Sequence, residues 1–314
     1  MCKYLEFVQT KNEVNMFKFM HFILFVILIS NANFNILKAD ENQVLDTAGV
    51  EDDFEMFRLR FKSSFEHPTF ALNYGIVTPF YHEDAVTDDF AILNSINVQF
   101  GISYIDEMSK LNSSVFKHEN NMLAVSYYSQ DLGSKTEIAD GIRTSAWSFG
   151  LQRNSGYGIG KSSQKLFFNS ISGITWTSLD FEDKTSDTIQ QTNLDVFGSQ
   201  LRFGNMFEAS MTFYPIENVG LNVGYERAMV YPRHMFWYWA ASGIIQGAAQ
   251  GLTGWFSKAV IEKSPVAGAI MYFVLENAVN YGFFELRKKN MNWPLETVPP
   301  FMYDSFKVGL TFKF

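Results

Sequence analysis

The 314 residues carry 25 Lys and Arg against 33 Asp and Glu, a formal charge of −8. Residues 1–39 hold Lys3, Lys11, Lys18 and Lys38 against Glu6 and Glu13, so the remainder is near −10; that disfavours a nucleic-acid partner, which needs clustered cations, and Arg287-Lys288-Lys289 is the densest basic run. The 32 Phe and 14 Tyr with a mean hydropathy of only −0.06 argue against a bundle of membrane helices and suit strands with one apolar and one polar face.

Lys18, the apolar run Phe22–Ile29 and the small residues Ser30 and Ala32 form the pattern of a secretory signal peptide, expected over residues 1–39, with Met16 as an alternative start and cleavage after Ala32 or Ala39. The run is too short to span a bilayer core of about 30 Å. Cys2 is the sole cysteine and lies in this segment, so the mature chain is expected to lack a disulfide, a thiolate metal site and a cysteine nucleophile. Residues 40–66 form an N-terminal segment, in which Phe57, Leu59 and Phe61 could begin an extra strand.

Period-two alternation then predicts strands with two unlike faces. Ile96, Val98, Phe100, Ile102 and Tyr104 oppose Asn97, Gln99, Gly101 and Ser103. Trp147, Phe149 and Leu151 oppose Ser148, Gly150 and Gln152; Phe207, Ala209, Met211 and Phe213 oppose Glu208, Ser210 and Thr212; Val219, Leu221, Val223 and Tyr225 oppose Gly220, Asn222 and Gly224. Weaker candidates lie near 68–79, 119–129 and 165–180. The polar faces carry small and amide residues, which suit a crowded barrel interior, although a soluble sandwich has the same period.

Residues 234–292 break the alternation. Met235–Ser257 carries no charge, and Gly243, Gly247 and Gly251 recur at four-residue spacing, placing them on one helical face open to a second helix. Ser264-Pro265 reads as an N-cap and first turn, and a helix to about residue 288 offers Ala278 and Gly282 to that face, with Arg287, Lys288 and Lys289 at its C-terminal end. The expectation is an antiparallel helical hairpin.

The last residues alternate again: Phe306, Val308, Leu310, Phe312 and Phe314 against Lys307, Gly309, Thr311 and Lys313. Here the sequence resembles bacterial outer-membrane barrel proteins, whose assembly signal has a polar residue, a glycine and two aromatics two apart; Lys307, Gly309, Phe312 and Phe314 match those places. Tyr214–Gly220 is similar to the tight turn of small barrels of the Bacteroidota type. The resemblance implies an antiparallel transmembrane β-barrel over residues 67–314, about eight strands with ten possible, in the outer membrane of a Gram-negative cell. It implies lipid and the barrel-assembly machinery as partners. Counting back from a periplasmic C-terminus gives strands near 303–314, 219–231, 197–214, 165–180, 143–153, 119–129, 91–105 and 68–79, with 106–118 and 154–164 as unusually long periplasmic connections. The hairpin then emerges outside the cell and is expected to cap the barrel there; the outer leaflet and the lumen are the other places weighed for it.

No catalytic, cofactor or metal site is legible. His67, His82, His118 and His234 form no HExxH, and no GxSxG occurs. His82-Glu83-Asp84 reads as an exposed loop, Gly156–Ser162 as a glycine-rich turn not spaced for a phosphate loop, and Asn112-Ser113-Ser114 as a glycosylation pattern without weight in a bacterium. The expected role is non-enzymatic: structural, binding, or passage of a small apolar molecule. Two alternatives compete. A lipid-acting barrel enzyme needs a Ser or His cluster near the outer rim, and an inner-membrane helical hairpin with a soluble β domain needs Met235–Ser257 to span.

Overall fold

A computed structural model describes residues 66–81, 86, 89–108, 115–132, 141–161, 164–181, 192, 194–198, 200–233, 236–289, 293–295 and 299–314. The expected signal peptide, Cys2, Phe57–Phe61, His82–Asp84, Asn112–Ser114 and His234 lie outside these residues. Eight strands run in chain order: β1 (Glu66–Tyr81), β2 (Leu93–Glu107), β3 (Val115–Ser129), β4 (Thr144–Lys161), β5 (Gln164–Phe181), β6 (Arg202–Ile216), β7 (Val219–Val230) and β8 (Phe301–Lys313). All neighbours are antiparallel, and β8 pairs with β1, so the sheet closes on itself. Between β7 and β8 stand α1 (Phe236–Lys263) and α2 (Pro265–Lys289).

The register fixes the barrel's dimensions. Starting at Thr69, partners run through Gly101, Met122, Gln152, Gly173, Met206, Ala228 and Tyr303 and return to β1 at Pro79, ten residues along. A shear of ten over eight strands sets a tilt of about 40° and a backbone radius of about 8 Å. Two helices, each about 10 Å wide with side chains, do not fit inside.

One end of the barrel has tight connections. Glu217 and Asn218 alone separate β6 from β7, and Lys161 pairs with Gln164 across residues 162–163. The glycine-rich segment near residue 156 is therefore strand, not turn. Gly156 and Gly158 face inward, where a Cβ would lie 2.2 Å from the Phe168 carbonyl oxygen and 2.4 Å from the Phe167 ring. The long connections all lie at the opposite end.

Polarity is inverted relative to a water-soluble fold. Inward residues include Asn73, Asn97, Gln99, Ser126, Ser148, Asn154, Thr177 and Glu208, all buried. Alternate outward residues include Phe70, Leu72, Tyr74, Ile76, Phe100, Phe149, Leu151, Leu221, Val223, Phe306, Val308 and Leu310, all exposed.

Candidate functional site

The lumen is filled in three layers. At the long-loop end, Val77, Leu179, Val230, Phe301 and Tyr303 pack with loop residues Leu194, Phe197 and Phe90. Phe301 meets Phe90, Phe181 and Phe197 at ring centroids of 5.2, 5.8 and 5.9 Å. These loop side chains, not the helices, close the mouth, which corrects the expected helical cap.

The middle layer holds charges and amides. Lys307 Nζ lies 2.5 Å from Glu208 Oε2 and 2.7 Å from Glu226 Oε2. Asn73 donates to Asn97, Asn97 to Ser126, and Asn222 to Asn73. A cavity of about 10 Å³ beside Ser126, Gln152, Glu226 and Tyr303 has the room of about one water. In the third layer His118 Nδ1 meets Asn169 Oδ1 at 3.0 Å, and Phe116, Phe167 and Tyr214 close the tight-turn end.

The residues expected to form an assembly signal divide between the two faces. Lys307 and Gly309 point into the lumen, and a Cβ on Gly309 would lie 2.3 Å from the Leu72 carbonyl oxygen, so glycine permits the close β8–β1 approach there. Phe312 and Phe314 point outward, Phe312 beside Phe70 at 6.4 Å between ring centroids.

The hairpin lies along the outside of the barrel wall. Strand parity places Ser155, Tyr157, Phe168, Ser170, Phe203, Phe207, Arg227 and Asp304 on the outer face, and every one of them except Asp304 touches α1 or α2 directly. Near the tight-turn end, Tyr272 donates to Ser155 Oγ at 2.9 Å, and Ile261, Ala269 and Tyr272 pack with Val115 and Tyr157. Midway, Ser170 donates to Asn277 Oδ1 at 3.1 Å and accepts from Asn280 Nδ2 at 3.0 Å. Higher up, Arg227 joins Asp304 at 2.8 Å and Glu285 at 3.0 Å and sits over the Phe284 ring at 4.2 Å. Trp239 meets Phe203 at 5.1 Å near the mouth. The 25 residues of α2, about 38 Å long, thus run the height of the barrel.

The two helices meet along a polar seam. Asn280 Oδ1 accepts from Gln246 at 2.8 Å and from Gln250 at 2.9 Å; Thr253 donates to Glu276 at 2.6 Å; Arg287 donates to Ser242 at 2.9 Å and to Gln246 at 2.7 Å. The expected helix contact through Gly243, Ala278 and Gly282 is corrected here. Ala278 and Gly282 are exposed, and a Cβ on Gly243 or Gly282 meets nothing within 4 Å. Gly247 and Gly251 are half-buried one position round from Gln246 and Gln250, which make the contacts. The missed signal was the four-residue recurrence of Ser242, Gln246 and Gln250, and of Glu276 and Asn280, in otherwise apolar helices.

His118 is held by amides inside the lumen, and His67 Nδ1 lies 3.4 Å from the Phe314 carbonyl oxygen at the tight-turn rim. Neither reaches the outer-wall serines, the arrangement a lipid-acting enzyme would need. Among the described residues no helix is long and apolar enough to cross a membrane.

No family model and no curated protein matches the chain. Among solved structures, Neisserial surface protein A is similar at a TM-score of 0.36 and 10% identity, over 79% of this chain and 97% of that one. Ail, the attachment invasion locus protein of Yersinia pestis, is similar at 0.32 and 8%, over 79% of this chain and 98% of its own. Superposition at that level adds nothing to the register, which alone establishes the closed eight-stranded ring.

Proposed function

We propose that the chain is a non-enzymatic β-barrel of the bacterial outer membrane with a structural or binding role. The supporting observation is the inverted polarity: alternate residues bury amides and charges within the ring and expose Phe, Leu, Val, Ile and Trp outside it. In water that arrangement would expose a contiguous apolar belt; in lipid it places those apolar residues against acyl chains, and closure leaves no unpaired strand edge. Strands of 12–18 residues exceed the 9–11 that a tilted strand needs to span.

The three packed layers favour a structural or binding role over passage, because an eight-stranded interior is wide enough only for its own side chains. Short turns at the end holding Phe314 and Asn218 suit the periplasm, and long connections at the other end suit the cell surface. Lys307, Gly309, Phe312 and Phe314 would present β8 to the assembly machinery. The test is heat-modifiable migration of the membrane-extracted protein: a folded barrel runs faster unboiled than boiled. Identical migration, or recovery of the protein in the soluble fraction, sinks the reading.

A further inference from the structure

The outer surface of the hairpin is as inverted as the barrel. Among the described side chains of α1 from Trp237 to Trp255 the exposed ones are Trp237, Ala241, Ile244, Ala248, Leu252 and Trp255, none of them charged. On α2 the exposed residues from Val266 to Gly282 are likewise uncharged, Ile270, Val274 and Tyr281 being the largest. The carboxylate and amide side chains of the same stretches, Gln246, Gln250, Glu276, Asn277 and Asn280, are turned inward, each in a hydrogen bond to the other helix or to its own or the barrel wall. Exposed charges appear on α1 only from Lys258 onward, with Glu262 and Lys263 at the tip.

A hairpin lying in water does the reverse: its exposed face carries charge, and its apolar residues turn to the protein. The wall beneath points the same way. Outward Ser155, Ser170 and Arg227 interrupt the apolar belt and are partnered by the hairpin, and Asp304 is held by Arg227. Bare in hydrocarbon, such groups would lose their partners at a cost.

We propose that the α1–α2 hairpin is embedded in the bilayer, its outer face against lipid acyl chains and its inner face sealed against β3–β8. Its tip, Glu262–Ser264, would emerge on the tight-turn side, although both ends of the hairpin enter from the long-loop side. The occupant of the exposed face is lipid, argued from its continuity with the barrel belt and from the match of α2, about 38 Å, to a bilayer with its interfaces. This rests on the membrane-barrel reading, and the experiment separates the two.

Full-length protein carrying Cys2→Ser is given single cysteines and probed in intact cells with a membrane-impermeant maleimide and with a lipid-soluble pyrene maleimide. Asp131→Cys, on the long-loop side, is the water-exposed reference, and Val308→Cys, on the bare wall of β8, is the lipid reference. The proposal expects Ile244→Cys, Leu252→Cys and Val274→Cys to behave as Val308→Cys does: less than a tenth of the reference labelling by the impermeant reagent, with labelling by the pyrene reagent. Lys263→Cys should react with the impermeant reagent only once the outer membrane is opened. Val308→Cys protected with Ile244→Cys, Leu252→Cys and Val274→Cys freely labelled overturns the embedded hairpin and leaves the barrel. Lys263→Cys labelled in intact cells overturns it too. Val308→Cys labelled like Asp131→Cys overturns both readings.

Discussion

Replacing Lys307 by methionine keeps the length of the side chain and removes the cation that two lumenal carboxylates share. Its Nζ is 2.5 Å from Glu208 and 2.7 Å from Glu226, and the three side chains are at most 6% exposed. At an effective dielectric of about 20, each contact is worth about 6 kcal/mol before desolvation, which costs several kcal/mol per ion. The net value of the intact triad is therefore small, but the cost of breaking it is not: the K307M chain keeps two buried carboxylates with no cation. A loss of about 3–5 kcal/mol is expected. The triple variant K307M/E208Q/E226Q has no buried charge to strand and should recover most of it. Refolding into vesicles and titrating with urea, read by gel mobility, separates this from assembly in the cell. A K307M loss under about 1 kcal/mol, or a triple variant as unstable as the single one, would refute the reasoning.

Gly282→Ala and Gly243→Ala should be neutral or stabilising by up to about 1 kcal/mol in the same titration, because a Cβ there meets nothing and alanine favours helix; a loss would restore the glycine seam. Gly309→Val, in contrast, must push β8 from β1 at the Leu72 carbonyl, and the fraction refolded should fall sharply. Asn280→Leu strands Gln246, Gln250 and Ser170, at about 1–3 kcal/mol in total, and should speed proteolysis within the hairpin before it touches the barrel's heat-modifiable shift. Phe314→Ala with Phe312→Ala should cut the yield of assembled barrel in cells while leaving refolding of the purified chain nearly unchanged; equal loss in both settings would make their role purely structural.

The barrel was legible because strand side chains alternate and its two faces meet different solvents. Ile96–Tyr104 and Phe306–Phe314 showed that contrast without interruption, and both lie in strands facing as the pattern predicts. The pattern failed where inward glycines coincided with polar outward residues, as at Arg153 and Ser155 beside Gly156. In the stretch of β4 from Asn154 to Gly160 the lumen narrows against Phe167 and the Phe168 carbonyl, so Gly156 and Gly158 replaced the polar residues that mark an inner face. A strand end therefore looked like a turn, and the connection seemed long. The same blindness shortened β3, whose first residues Val115 and Phe116 are both buried, one beneath the hairpin and one in the lumen.

Helical period alone identifies faces, not what each face meets. In α1 and α2 the sequence shows an apolar majority with a thin row of polar residues, and the glycines drew attention because small residues so often mark helix contacts in membranes. The thin row was the contact. Where both environments of a helix are apolar, the residues that stand out are those that need a partner, and Gln246, Asn280 and Arg287 need one wherever the hairpin sits. That polar row also holds α2 below the hydropathy of a self-sufficient membrane helix. A segment apolar all round would partition into the first membrane it met during export; one whose polar groups are satisfied only against a finished barrel wall has no such stopping place. The seam thus couples placement to folding: the hairpin is compatible with lipid after β3–β8 exist to receive it, and Ser170 and Arg227 are compatible with lipid after the hairpin arrives.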